Sequence, residues 1–217
     1  MSRMPKAVDF VGIVLKRLLV EEKGQIYSVY SRESGRIKAS ARGALKPKNR
    51  WRGVLEPFNR IRAVIHPSRT GRLHRLNEAD FPTRPSWILK DLTALHAAYV
   101  VLECYERFTP EEYPHQEIYS LLLKSLGAVD RVPDLAGFSV RIFCIEFFTM
   151  NGFALEWNRC VRCGKERPAD KSAFFVASEG ELSVVDASGV TSRTRIESSM
   201  VQPFKWASWH PMELFLS

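Results

Sequence analysis

The residues of this sequence best suited to a chemical role are cations concentrated in one short segment. Residues 41–52 carry five Lys and Arg in twelve positions: Arg42, Lys46, Lys48, Arg50 and Arg52. Such side chains neutralise phosphates and release counterions, which supplies most of the sequence-independent affinity for a nucleic acid. Bases can also stack on aromatic rings, and Trp51 lies within the segment. We therefore predict binding of a single-stranded nucleic acid, with Trp51 as the stacking residue.

Other aromatic residues of the same region could also contribute stacking, namely Tyr27, Tyr30 and Phe58. A structural role is the alternative for all of them. Phe58 is expected in the core, Tyr27 and Tyr30 cannot both face one groove, and Trp51 could fill the interior.

Charge is distributed unevenly along the chain. Residues 1–80 hold 18 Lys and Arg against 7 Asp and Glu, whereas residues 81–217 hold 14 against 17, for a net charge of +8. Residues 1–80 are therefore basic and the rest of the chain is mildly acidic. This asymmetry points to a polyanionic partner. A basic surface that only contacts solvent is the alternative.

Short strands are expected to position these cations. We predict strands over residues 10–20, 25–32, 36–42, 54–65 and 71–76, with a turn at 32–35. Residues 36–42 alternate, so Ile37, Ala39 and Ala41 share one face, and the other face carries Arg36, Lys38, Ser40 and Arg42. Five short strands fit a closed barrel, and an OB-fold is expected, with an SH3-like barrel as the alternative.

An OB barrel presents its ligand groove on the face of strands 2 and 3. Arg36 and Lys38 therefore join the predicted phosphate contacts, and Lys16 and Arg17 are second-rank candidates.

Helices are expected after a proline-containing linker at residues 81–85. Leu92, Leu95, Tyr99 and Leu102 recur at helical spacing. A second helix is predicted over residues 116–126 with Gly127 as its stop, and a third from Asp134 to about Gly152. The predicted class is α+β multidomain, with an OB-fold domain at 1–80, a helical domain at 81–155, a degenerate cysteine-knuckle segment at 156–190 and a C-terminal tail of uncertain structure at 191–217.

A possible metal site is formed by Cys160 and Cys163. Two thiolates at this spacing followed by Gly164 are typical of a zinc knuckle, which needs four ligands. A second pair is expected 12 to 20 residues later, where Ser183 and Asp186 stand instead. We therefore assign no cofactor with confidence, and zinc at Cys160 and Cys163 stays open.

Motif searches disfavour an enzyme, because the sequence has no Walker A loop, no dinucleotide-binding glycine pattern, no nucleophile elbow and no zinc-deaminase pattern. It has no apolar run long enough to span a membrane and no signal-peptide pattern. Its cysteine spacing is not that of a disulfide framework. A cytoplasmic, nucleoid-associated protein is expected.

The combination of parts resembles the bacterial RecO family. Residues 41–58, ARGALKPKNRWRGVLEPF, are similar to the barrel of that family, and the C-x2-C-G-K stretch at 160–165 is similar to its knuckle. The order of barrel, helices and knuckle also matches. The resemblance covers roughly residues 8–185.

The resemblance implies a non-enzymatic mediator of recombination and DNA repair. RecO proteins bind and anneal single-stranded DNA, engage single-stranded DNA-binding protein, and act with RecR to load recombinase onto coated strands. In many members the knuckle holds zinc. The alternatives are an RNA-binding barrel, an adaptor that binds only proteins, and, with weakest support, a metal-dependent enzyme.

Overall fold

The computed structural model of the chain describes residues 7–20, 24–44, 50–51, 53–68, 73–83, 88, 90–154, 159–166, 173–176, 180–182, 190–191 and 194–196. The chain forms two compact units, Met1–Val140 and Arg141–Ser217. The first unit contains a barrel and two long helices.

Five strands close into the barrel: β1 (Val8–Val20), β2 (Gly24–Ser31), β3 (Gly35–Ala41), β4 (Arg60–His66) and β5 (His74–Thr83). Their order around the barrel is β1-β2-β3-β5-β4, and β4 returns to β1. All neighbours are antiparallel except β3 and β5, which are parallel. This is an OB-fold, so the predicted fold of the first domain is confirmed.

Strand β1 is long because it pairs with two neighbours. Residues 8–13 pair with β4 and residues 12–20 pair with β2, with a register shift between Val14 and Lys16. Gly12 belongs to both pairings. A Cβ there would lie 2.7 Å from Cγ1 of Val29 and 2.8 Å from the carbonyl oxygen of Tyr30, so the turn of the sheet at this point needs glycine.

Alternation along the strands builds the barrel core. Ile37, Ala39 and Ala41 of β3 are buried together, as the period of two predicts. In β4 the buried residues likewise alternate with exposed ones. The interior also contains Tyr27, Val29, Trp51, Leu55, Ile61 and Leu76.

Two strands, β4 and β5, differ from the prediction by more than two residues. The fourth strand begins at Arg60 rather than 54, because turns occupy the preceding residues, with positive φ at Gly53 and Phe58. The fifth strand starts at His74 and runs to Thr83, so part of the predicted linker is strand. Pro82 is tolerated there because the pairing register shifts between Arg60 and Arg62 on the opposing strand.

Helices follow the barrel as expected, but some of their end residues differ from those predicted. They are α1 (Leu92–Phe108), α2 (Gln116–Arg131) and α3 (Ala136–Met150). Gly127 lies inside α2 and does not end it, because burial of Ala128 and Val129 outweighs the helix cost of one glycine, about 1 kcal/mol. Asp134 does not cap α3 but lies in a 3-10 turn, Pro133–Leu135. Among the described residues, no helix is long and apolar enough to cross a membrane.

A small antiparallel sheet belongs to the second unit. Its strands are β6 (Ala173–Val176), β7 (Gly180–Leu182) and β8 (Thr194–Ile196), with β6 in the centre. Strand β8 lies within the stretch that the sequence left without a structural assignment. Residues 197–217 of the predicted tail lie outside the described residues.

Candidate nucleic-acid interface

Helices cover the outer face of β2 and β3, which is the face where the sequence predicted a nucleic-acid groove. Ser28 and Tyr30 point away from the barrel interior and are buried. The Ser28 hydroxyl donates to the carboxylate of Glu106 on α1. The Tyr30 ring packs edge-on against Tyr105 at 5.0 Å and stacks on Tyr119 of α2 at 6.5 Å. This part of the face is therefore closed to a ligand.

Arg36 of β3 contacts α1 and the residues that follow α1, and it does not face solvent. Its side chain is 11% exposed. Nε donates to the carbonyl oxygen of Thr109 at 3.0 Å, and Nη1 lies 3.4 Å from Glu111 and 3.8 Å from Glu106. We therefore withdraw Arg36 as a phosphate contact, because its guanidinium already has carboxylate partners within the chain.

Lys38 is the next cation along the same face, and it also has an internal partner. Its Nζ lies 2.6 Å from Oε1 of Glu111. The hydrogen bond and charge of Lys38, with the charge of Arg36, hold the pKa of Glu111 below its usual range. Lys38 is partly exposed, but its charge is compensated.

The interhelical loop, residues 109–115, carries these acidic partners. The amide of Glu112 donates to the carbonyl oxygen of Arg36 at 2.9 Å, so the loop continues the sheet beside β3. The Glu112 carboxylate lies 3.1 Å from Nε2 of His74 on β5, whose Nδ1 accepts the amide of Ser68 at 3.2 Å. The sequence did not predict that this loop supplies the acidic partners of the cations on β3.

The four aromatic residues considered for base stacking are all buried: Tyr27, Tyr30, Trp51 and Phe58. Trp51 is 3% exposed within the barrel core, and its Nε1 donates to the carbonyl oxygen of Arg42 at 3.1 Å. Phe58 packs edge-on against Tyr99 of α1 at 4.8 Å. Burial raises the pKa of Tyr27 to about 12. The stacking prediction for Trp51 is therefore wrong, and its structural alternative holds.

Three arginines, here called the rim arginines, remain exposed where β3 ends: Arg42, Arg50 and Arg75. Arg50 lies over the Trp51 ring, 4.3 Å from its centroid, and donates to the carbonyl oxygen of Asn77 on β5 at 2.6 Å. These contacts hold the Arg50 side chain beside β5.

Arg75 joins the rim through strand pairing. It pairs with Ser40 of β3 on one side and with His66 of β4 on the other. Sequence reasoning missed Arg75, because only the parallel pairing of β3 with β5 brings it beside the end of β3, which Arg42 follows. Three predicted contacts, Lys46, Lys48 and Arg52, lie outside the described residues.

The second-rank candidates, Lys16 and Arg17, lie on β1 beside α1. Arg17 is exposed and bonds the Glu56 carboxylate at 3.1 Å and 3.3 Å. A cavity of about 330 Å³ lies between these residues and the helix, and it is also lined by Tyr99 and Glu103. The mixed charge of this cavity does not favour a polyanion.

The cysteine pair forms a tight turn in the second unit. Cys160 is buried and Cys163 is exposed. The amide of Gly164 donates to the carbonyl oxygen of Cys160 at 2.9 Å. The amide of Cys160 donates to the carbonyl oxygen of Lys165 at 3.0 Å. Within the described residues no cluster of three or more His, Cys, Asp or Glu is placed to hold a metal. Ser183 and Asp186 lie outside that part of the chain, and zinc stays a prediction.

Comparison with known proteins identifies the family. Residues 4–83 match the family model "Recombination protein O N terminal", and residues 89–207 match "Recombination protein O C terminal". The chain belongs to the RecO family. The resemblance predicted from the sequence is thereby confirmed.

Curated relatives agree with this assignment, and each carries the name DNA repair protein RecO. The chain is 31% identical to the protein of Exiguobacterium sibiricum over 70% of its own length and 60% of the relative. It is 30% identical to the protein of Symbiobacterium thermophilum over 71% of its own length and 60% of the relative. It is 33% identical to the protein of Desulforudis audaxviator over 79% of its own length and 67% of the relative. The chain spans about 60% of the length of the first two relatives. DNA repair is the function that these relatives indicate.

Proposed function

We propose that this chain binds and anneals single-stranded DNA and helps to load recombinase onto strands coated with single-stranded DNA-binding protein. The observation that carries the proposal is the exposed cationic rim of an OB barrel in a RecO family member. Among the described residues, Arg42 and Arg75 form no ion pair, so their charges are available to phosphates. Lys46, Lys48 and Arg52 belong to the same basic segment of the sequence, and their phosphate contacts stay predictions.

Annealing follows from the way in which such a surface would hold a strand. The four aromatic residues considered for stacking are buried, so affinity would come from phosphates rather than from bases stacked on them. A strand held by its backbone leaves its base edges exposed. Cations also lower the repulsion between two strands, so complementary bases can pair. Pairing needs no covalent step, and we accordingly propose a non-enzymatic role.

RecR and single-stranded DNA-binding protein are the partners that we propose, on the basis of family membership. The described surface does not single out a docking site for either. An RNA-binding barrel remains the second candidate, because a phosphate-directed rim does not by itself distinguish RNA from DNA.

The decisive experiment is annealing of two complementary DNA strands, each coated with single-stranded DNA-binding protein. We expect the chain to accelerate annealing, and we expect Arg42→Gln with Arg75→Gln to reduce the rate. Arg62→Gln is the matched control, because Arg62 is an exposed barrel arginine that pairs with Asp9. Binding of bare strands without acceleration on coated strands would reduce the proposal to a general nucleic-acid-binding barrel.

A further inference from the structure

A second cavity, with a net positive lining, lies between the barrel and α2, away from the rim. It has a volume of about 300 Å³, and its lining includes Arg32, Arg60, Gln116 and Tyr119, with Val11 and Leu123 as apolar walls. Arg60 begins β4, whereas His66, which pairs with the rim residue Arg75, ends it. Six residues of strand separate these two ends by about 20 Å. The cavity is therefore a distinct place on the same barrel.

Tyr119 gives the cavity an unusual feature. The residue is 5% exposed, and none of the described residues accepts a hydrogen bond from its buried hydroxyl. Burial raises the pKa of Tyr119, while the charge of Arg60, a hydrogen bond from Arg60 and the charge of Arg32 act to lower it. An arginine can donate to this hydroxyl but cannot accept from it, so the buried O–H group beside two guanidinium groups still lacks an acceptor.

The charges around this hydroxyl favour an anionic acceptor. Arg32 and Arg60 are exposed, and the described residues provide neither with an ion pair. Glu33 also lines the cavity, but its carboxylate accepts the amide of Val11 at 3.3 Å. The net charge of the lining is positive. Guanidinium groups bind oxyanions through paired N–H groups, which suits a group with two available oxygens.

We propose that this cavity binds a phosphate group of a single-stranded nucleic acid, with Arg32, Arg60 and the Tyr119 hydroxyl as donors. The inference rests on the proposed function and extends it. A chain with phosphate sites at both ends of its barrel can hold two strands, or two parts of one strand, at the same time. That arrangement would bring two complementary strands together on one chain and so favour annealing.

Tyr119→Phe is the sharpest test, because it removes only the hydroxyl. Loss of a hydrogen bond to a charged group weakens binding by about tenfold or more, so we expect that loss in the affinity for oligothymidylate. The measurement is fluorescence anisotropy of a labelled strand with the full chain at low salt. The stability of the unliganded variant should be unchanged or higher, because a buried O–H group that lacks an acceptor has been removed.

A purely structural role for Tyr119 predicts the opposite pattern, with lower stability and unchanged DNA affinity. That result would overturn the proposal. The variant Arg32→Gln with Arg60→Gln should weaken DNA binding as Tyr119→Phe does, whereas the control Arg62→Gln should not.

Free phosphate and the rim need separate measurements. If Tyr119→Phe abolishes binding of inorganic phosphate, followed by calorimetry, but leaves DNA affinity unchanged, the cavity is a site for the free ion and the strand proposal is wrong. Variants of Arg42 and Arg75 test the rim independently. Loss of DNA affinity in the cavity variants alone would support the cavity and contradict the rim.

Discussion

Replacement of Arg36 by alanine separates the sequence-based view of β3 from the structural one. The sequence places Arg36 on a DNA-binding face, and the structure places it beneath the helices. In the structural view the variant loses the hydrogen bond to Thr109 and the ion pairs with Glu106 and Glu111. Its main consequence should therefore be on folding.

The size of the effect follows from what the variant leaves behind. The Glu106 side chain is 14% exposed and would keep only the Ser28 hydroxyl among the partners described above. Removing one member of a buried ion pair costs about 3–5 kcal/mol. Glu111 is more exposed and keeps Lys38, so we expect a loss of about 3 kcal/mol in the free energy of unfolding, the lower end of that range.

Urea unfolding of the full chain at pH 7, followed by circular dichroism, measures this loss. Arg62→Ala is the matched control, because the Arg62 side chain is 66% exposed and its partner Asp9 is 55% exposed. An exposed pair of this kind is worth about 0.5 kcal/mol. Oligothymidylate affinity of folded Arg36→Ala should equal that of the parent chain.

The opposite pair of results would refute this reasoning. A loss of less than about 1 kcal/mol, well below the range for a broken buried pair, would mean that Arg36 does not hold the helical cover on the barrel. A simultaneous drop in DNA affinity would restore the face of β2 and β3 as the DNA-binding surface.

Two further predictions concern charge. Replacing Arg42 and Arg75 by glutamine should reduce the slope of log K against log salt for oligothymidylate by about 1.4, because each phosphate contact on a single strand contributes about 0.7. Anisotropy titrations across a salt series measure this slope. An unchanged slope would exclude the rim arginines as phosphate contacts. Because Lys38 lowers the pKa of Glu111, the pair stabilises the fold above the ordinary carboxyl pKa of 4.5, and this stability is lost as pH falls through the lower folded value. The free energy of unfolding of Lys38→Met at pH 7 should therefore be lower than that of the parent, by less than about 1 kcal/mol. Urea unfolding at pH 3 should show a smaller difference. An equal difference at both pH values would contradict the ion pair.

Local pattern was sufficient to predict the class of each main element. The alternation of Ile37, Ala39 and Ala41 identifies the inner face of β3 because a strand repeats every two residues. The apolar spacing from Leu92 onward identifies α1 as a helix but not its buried face, because Leu92 and Tyr99 are exposed. Element ends were less accurate, as Gly127 shows, because burial of the residues after it decided where α2 ends.

The sequence by itself therefore determined a five-stranded barrel with a basic segment, followed by helices, and its resemblance to the RecO family implied the OB-fold over the SH3-like alternative. Only the tertiary structure decided which cations are available. Period-two alternation shows that Arg36 and Arg42 share a face, but not that α1 and the interhelical loop, some 70 residues later, cover one and leave the other exposed. The same holds for Arg75 and Tyr119, whose neighbours come from strand pairing and helix packing. Burial and charge compensation depend on contacts distant in sequence, and local spacing does not encode them.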